Sequence, residues 1–164
     1  MKKLPIGIQS IQKILNKKEY VYVDKTGFIM NLLDEGAPHY FISRPRRFGK
    51  SLLLNTLEEI FKGSKQLFKG CQIYNSNYGW QKHPVLLFDF SQIENAAPEK
   101  LEAGLQDSLQ DMAKAYKVSV SGSSNRSRLK RLVNELSKKN SVVVLVDEYD
   151  SPIINNLKVP QIVE

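Results

Sequence analysis

Apolar residues recur at intervals of three and four positions in four stretches of the chain, a spacing that places them on one face of an α-helix. The four sets are Phe28, Ile29, Leu32 and Leu33; Leu52, Leu53, Leu57, Ile60 and Phe61; Leu101, Leu105, Leu109, Met112 and Tyr116; and Leu129, Leu132, Val133 and Leu136. Gly36 and Gly63 follow the first two sets and Pro98 precedes the third, as is common at helix ends. Four helices are therefore predicted.

Short runs of apolar, β-branched or aromatic residues predict strands at positions 20–23, 40–42, 85–88 and 142–146. The last two runs are apolar throughout, which is typical of strands that are buried on both faces. Because the predicted strands alternate with helices, we expect an α/β layered fold with a mainly parallel sheet.

The length and composition of the chain indicate what kind of protein it is. It has 164 residues, of which 41% are hydrophobic, so it can bury roughly 70% of its unfolded surface, and one domain over residues 1–164 is predicted. Its apolar runs are shorter than the roughly 20 residues that cross a bilayer, and its N-terminus lacks a signal-peptide core. We therefore expect a soluble, cytoplasmic protein. Cys71 is the only cysteine, which excludes an internal disulfide and disfavours a structural zinc site.

The formal charge of +7 favours an anionic partner, such as a nucleotide, a nucleic acid or an acidic protein surface. The basic residues form two clusters, one of Arg44, Arg46, Arg47 and Lys50 and one of Arg126, Arg128, Lys130 and Arg131. The second cluster falls on a predicted helix, where a solvated helix face is the simpler interpretation. Charge alone does not choose between these partners.

The tripeptide Gly49-Lys50-Ser51 lies between a predicted strand and a predicted helix and matches the end of a phosphate-binding P-loop. In such a loop, backbone amides at the helix N-terminus hold the phosphates, the lysine reaches the terminal phosphates and the hydroxyl binds magnesium. The predicted nucleotide-binding residues are Arg47, Phe48, Gly49, Lys50, Ser51 and Leu52.

The start of this loop departs from the P-loop pattern, because Arg44 and then Pro45 stand where the pattern begins with glycine. The chain must therefore approach the loop differently. Residues 47–51 contain no proline, so the amides that would hold the phosphates are all present.

Two acidic residues, Asp147 and Glu148, follow the predicted strand at 142–146. Open parallel sheets bind ligands at the C-terminal ends of their strands. We expect Asp147 to bind magnesium and Glu148 to act as the base that activates the attacking water. Asp89, which ends the strand before, is a further candidate for arranging the water or the magnesium shell. Asp150 or Ser151, before Pro152, is predicted to cap a helix.

Four motifs, at residues 22–26, 43–52, 84–91 and 147–150, together resemble the bacterial AAA-ATPase-like family. The resemblance spans nearly the whole chain, and the Arg-Pro-Arg-Arg start of the loop is usual in that family. It implies a predicted ATPase that uses ATP and Mg²⁺, with the fold of a P-loop NTPase three-layer sandwich. Because Lys50, Ser51 and Asp147 match functional positions of the family motifs, the resemblance implies the same roles for them here, with Glu148 as the catalytic base. Members are often joined to a C-terminal nuclease-like domain of the PD-(D/E)XK type.

The resemblance also implies one more strand, after the acidic strand in sequence and between the loop strand and the acidic strand in the sheet. Residues 151–164 are a poor strand candidate. We therefore expect a truncated chain with a sheet that is incomplete at the C-terminus, marginal stability and doubtful turnover.

Two functions remain open at this point. The first is ATP binding with Mg²⁺-dependent hydrolysis, supported by the pairing of Gly49-Lys50-Ser51 with Asp147 and Glu148. The alternative is a non-catalytic, nucleotide-gated module that binds nucleic acid or a partner protein through its basic clusters.

Overall fold

A computed structural model of the chain describes residues 2–17, 19–43, 45 and 47–155. The chain divides into two compact units, Met1–Lys82 and His83–Glu164. The first contains α1 (Ile11–Asn16), α2 (Thr26–Asp34), α3 (Lys50–Phe61) and two 3₁₀ turns, Lys65–Phe68 and Gln72–Asn75. The second contains β1 (Val85–Asp89), α4 (Pro98–Ala115), α5 (Asn125–Ser137), β2 (Val143–Asp147) and α6 (Ser151–Asn155). The four predicted helices and the last two predicted strands are confirmed, and the fold is α/β with a parallel sheet.

Helix α3 packs in the first unit through the predicted apolar stripe, of which Leu57 and Ile60 are buried. Two polar residues share that buried face. The hydroxyl of Thr56 donates to the backbone oxygen of Leu52, and the carboxylate of Glu59 accepts from Ser64 Oγ at 2.7 Å. The spacing of apolar residues predicted the helix but not these polar groups, because each is satisfied by a local partner that periodicity does not reveal.

The motif at residues 22–26 forms a hydrogen-bonded junction rather than a strand. Asp24 Oδ1 accepts from the amide and the hydroxyl of Thr26 at 2.9 and 2.7 Å, and Oδ2 accepts from the amide of Gln72 at 2.7 Å. Thr26, which is fully buried, in turn accepts from the amide of Ile73 at 3.1 Å. These bonds connect the start of α2 to the second 3₁₀ turn.

The strands predicted at residues 20–23 and 40–42 are wrong. The first stretch makes a single parallel bridge between Lys3 and Tyr20. In the second, the hydroxyl of Tyr40 donates to the oxygen of Leu32 and accepts from the amide of Ala37, which holds this residue against the end of α2. A high β-propensity means that a side chain packs well on a pleated surface. Such a segment forms a β-ladder only where a partner strand is available.

Cys71, also in the first unit, is 5% exposed. Burial, together with the nearby carboxylate of Asp24, raises the pKa of its thiol to about 11. Because the thiolate is the reactive form of cysteine, burial and the raised pKa both disfavour reaction of this thiol at neutral pH, and Cys71 packs as a small apolar core residue.

The described sheet of the second unit consists of β1 and β2 in parallel, with Leu86 opposite Val144 and Phe88 opposite Val146. Leu86 and Phe88 pack against α4 and α5, in a core completed by Leu109, Ala113, Leu132 and Leu136. On one face of β1 Leu86 and Phe88 are buried, and on the other Val85 is buried and Leu87 is half-buried, so the prediction that β1 is buried on both faces holds in part. The same prediction is wrong for β2, because Val144 and Val146 are 47% and 42% exposed, so the two helices cover β1 and not β2.

The backbone hydrogen bonds of β2 identify its free edge. The backbone amide of Val143 donates to the backbone oxygen of Pro84, and the backbone oxygen of Asp147 accepts from the amide of Phe90. The backbone polar groups of the odd-numbered residues of β2 therefore point towards β1. Since backbone groups alternate along a strand, those of Val144 and Val146 point to the opposite edge. Within the described residues this edge has no strand partner.

The end of the described chain forms a short helix. The amide of Ile154 donates to the backbone oxygen of Asp150, which confirms that a helix starts near Asp150 and Ser151. Residues 156–164 lie outside the described residues, so the prediction that the sheet is incomplete at the C-terminus stays a prediction.

Candidate functional site

The turn before α3 is shaped by two residues with left-handed backbone. Gly49 is the N-cap, with φ of 78° and ψ of 24°, and Arg47 has φ of 66°. The amide of Phe48 donates to Pro45, and that of Leu53 donates to Gly49 and begins the helical ladder. A Cβ on Gly49 would meet nothing within 4 Å. Glycine is therefore favoured here by its backbone conformation and not by lack of space.

This turn has the features of an anion-binding helix start. The helix is 12 residues long, and Gly49 has no side chain with which to cap the amides of the first turn. Those amides carry the positive end of the helix dipole. Arg47 and Phe48 are exposed and Lys50 and Ser51 are half-buried, so the turn is open to a ligand from solvent.

Arg47 adopts a conformation that is uncommon for a residue with a side chain. Such strain is often found at ligand-binding positions, where the surrounding structure maintains it. Arg44 and Arg46, which belong to the predicted loop and to the first basic cluster, lie outside the described residues.

The acidic pair lies at the end of β2 in the second unit. Asp147 is 8% exposed, and its Oδ1 accepts from the amide of Glu148 at 3.0 Å. Glu148 is half-buried and has φ of 49°, again left-handed. The strand thus ends at a sharp, strained turn that presents two carboxylates.

Asp89 ends β1 and is the register partner of Asp147. Its Oδ1 accepts from the amide and hydroxyl of Ser91 at 3.0 and 2.6 Å, and its Oδ2 accepts from Gln92 Nε2 at 2.6 Å. These bonds hold the carboxylate of Asp89 against the turn that follows β1.

The predicted site residues form two groups. The structure brings Arg47, Phe48, Gly49, Lys50, Ser51 and Leu52 together at the start of α3 in the first unit. It brings Asp147 and Glu148 together at the end of β2 in the second unit. The left-handed backbone at Glu148 was not predicted, and no signal in the sequence indicates it, since glutamate has no preference for that region.

The acidic group fits the way proteins bind magnesium. Mg²⁺ usually keeps several waters and takes one or two carboxylates together with substrate phosphates. Asp147 and Asp89 supply such a pair. In the described part of the chain, no group of three or more His, Cys, Asp and Glu residues is arranged to hold a metal.

Half of the second basic cluster has a structural use. Arg131 Nη1 donates to the backbone oxygen and hydroxyl of Ser121 at 2.7 and 2.9 Å, and Arg128 Nη1 donates to Asn125 Oδ1 at 3.4 Å. These bonds fix the loop before α5 and the start of that helix. The interpretation as a solvated, structural helix face therefore gains support, and a nucleic-acid partner does not.

The sequence of the chain matches a known protein family. The family model described as Predicted AAA-ATPase matches residues 5–164. The chain belongs to this AAA-ATPase-like family. The resemblance drawn from the four motifs is thereby confirmed, and it supports an ATP-related function.

A relative of this AAA-ATPase-like chain is an uncharacterized protein in the vnfD 5′ region of Azotobacter chroococcum mcd 1. The two are 44% identical over 164 residues, which is 98% of this chain and 31% of the relative. The chain thus spans about a third of the length of the curated relative. No solved structure matches it. None of the helices within the described ranges combines the length and apolar content needed to cross a bilayer.

Proposed function

We propose that this chain binds ATP at the start of α3 and, together with Mg²⁺ at Asp147, hydrolyses it. The observation that carries the proposal is the left-handed Gly49 turn, which opens a 12-residue helix with Lys50 and Ser51 in its first turn. Backbone amides of residues 47–52 would hold the phosphates, because amides and dipole at a helix start favour negative charge.

The roles of the side chains follow from their chemistry. In the first unit, the ammonium of Lys50 would contact the terminal phosphates and Ser51 would offer an oxygen ligand to Mg²⁺. In the second unit, Asp147 would offer a carboxylate ligand, and the ion when bound would offset the negative charge on the phosphates. Glu148 accepts a proton from the attacking water. The water oxygen then bonds to the γ-phosphorus while the bond to the bridging oxygen of ADP breaks.

We also infer that the domain of this family is a P-loop NTPase three-layer sandwich to which β1 and β2 belong. The parallel pairing of these strands, joined through α4 and α5, supports this inference. The exposed Val144 and Val146 would then face further elements of such a sandwich.

Lys50→Ala is expected to weaken binding of Mg²⁺-ATP by about 10- to 150-fold, because a hydrogen bond to a charged group is worth about 1.5–3 kcal/mol. Titration calorimetry on the full chain measures this affinity. Lys69→Ala removes the same charge from an exposed position in the same unit and should leave affinity unchanged. Equal affinities for the Lys50 and Lys69 variants would contradict the proposed phosphate site.

Asp147→Asn is expected to remove most of the strengthening of ATP binding by Mg²⁺, because a neutral amide is a poor ligand for this ion. The measurement compares ATP affinity with and without Mg²⁺ in the wild type and the variant. Affinity in the absence of the metal should stay close to that of the wild type. If Mg²⁺ strengthened binding equally in both proteins, Asp147 would not be the metal ligand.

A further inference from the structure

The side chain of Tyr116 occupies part of the outer edge of β1, the edge that points away from β2. The backbone amide of Val85 donates to the hydroxyl of Tyr116 at 2.6 Å, and that hydroxyl donates to the backbone oxygen of Val85 at 3.0 Å. A tyrosine hydroxyl both donates and accepts hydrogen bonds, so the two bonds form together. One side chain, 31 residues away in sequence, therefore takes up both backbone polar groups of Val85.

The pairing of β1 with β2 shows which backbone groups lie on this outer edge. The even-numbered residues of 84–90 direct their backbone groups towards β2. Because these groups alternate along a strand, those of Val85, Leu87 and Asp89 point outward. The backbone oxygen of Asp89 accepts from the amide of Gln92 at 3.1 Å. A strand arriving at this edge would thus meet bonded groups at both ends of β1.

The composition of β1 explains why its edge would need protection. The strand reads Val-Leu-Leu-Phe-Asp, with four apolar residues before its single charge. An apolar edge strand with few charges is a template for pairing with another chain, and many proteins prevent this with a lysine, a proline or a bulge on the edge. Val85–Asp89 contains neither lysine nor proline. The hydroxyl of Tyr116 can serve the same purpose by occupying the edge.

We propose that Tyr116 is an edge-blocking residue, which keeps β1 from pairing with the same strand in a second copy of this chain. Antiparallel pairing of two copies about Leu87 would place Asp89 opposite Val85, so no like charges would meet and nothing else in β1 opposes it. The block directs any strand that joins this sheet to β2. This proposal concerns assembly and is independent of ATP binding.

The first test is self-association of the full chain, measured by sedimentation equilibrium over a series of concentrations. Tyr116→Phe keeps the ring, which packs on the core beside β1, but removes the hydroxyl. It is expected to strengthen self-association by about tenfold or more over the wild type, because the freed groups of Val85 can form two hydrogen bonds between strands. Unchanged self-association in Tyr116→Phe would overturn the proposal.

Two further variants separate edge pairing from loss of stability. Leu129→Ala weakens the same core without touching the hydroxyl and should leave self-association at the level of the wild type. Leu87→Pro, added to Tyr116→Phe, removes an outward-pointing amide at a position where an edge strand tolerates proline, and should reverse the association. Equal association in Leu129→Ala and Tyr116→Phe, or association that persists with Leu87→Pro, would mean that β1 is not the contact and would overturn the proposal.

Amide hydrogen exchange of the wild type provides a test that does not require Tyr116→Phe to fold. The amide of Val85 should exchange as slowly as those of Leu86 and Phe88, which pair with β2. Such protection on the outer edge would support the block. Exchange at Val85 as fast as at an exposed loop amide would show that the edge is open and would overturn it.

Discussion

Replacing Glu148 with glutamine is expected to slow ATP hydrolysis by about 10²- to 10⁴-fold, the range over which general-base catalysis acts. The amide of glutamine has nearly the shape of the carboxylate but does not accept the proton of the attacking water. Affinity for Mg²⁺-ATP should change little, because Glu148 is assigned no contact with phosphate or metal. Single-turnover release of phosphate, at saturating Mg²⁺-ATP, measures the rate separately from binding.

The backbone at Glu148 provides the control for this experiment. Glutamine experiences the same left-handed strain as glutamate at φ of 49°, so the substitution leaves the stability of the turn unaltered. Glu148→Gly relieves that strain and is expected to stabilise the protein by about 1 kcal/mol while losing hydrolysis to the same extent. Measurable hydrolysis at equal rates in the wild type and Glu148→Gln would exclude Glu148 as the base.

The parts of the fold that were predictable from sequence are those determined by short-range spacing. A helix such as α4 displays its buried residues Leu109 and Ala113 every few positions, and β1 is recognisable as an uninterrupted apolar run. The predictions of strands at residues 20–23 and 40–42 failed because strand formation needs a partner elsewhere in the chain. Tyr40 has a suitable side chain for a strand, yet its hydroxyl bonds to the end of α2.

In the candidate site, too, features set by neighbouring residues were predictable and features set by distant partners were not. Gly49-Lys50-Ser51 and Asp147-Glu148 are contiguous, so their chemistry is visible in the sequence. The alignment of Asp89 with Asp147 depends on the register of β1 against β2, which no local pattern specifies. The left-handed backbone at Glu148 is likewise a consequence of how β2 ends, and residue type does not predict it.

Replacing Asp24 with alanine is expected to destabilise the first unit by about 2–4 kcal/mol. The change removes the acceptor for the amide and hydroxyl of Thr26 and for the amide of Gln72. A buried donor left without an acceptor costs about 1–3 kcal/mol, and Thr26 is fully buried. Urea unfolding followed by fluorescence of Trp80, the only tryptophan, measures the free energy, because this residue packs on Phe68 in the same unit.

Asp34→Ala, an exposed change at the end of α2, is the matched control and should alter stability by less than about 0.5 kcal/mol. Burial is the larger cause of the raised pKa of Cys71, and the carboxylate of Asp24 adds to it, so Asp24→Asn should lower that pKa in part and speed alkylation of the thiol at mildly alkaline pH. A loss of stability in Asp24→Ala no greater than in Asp34→Ala would show that the motif at residues 22–26 is not a folding junction. Its presence among the four family motifs would then need another explanation, whereas the large loss expected here would mean that part of the family signature maintains the fold of the first unit.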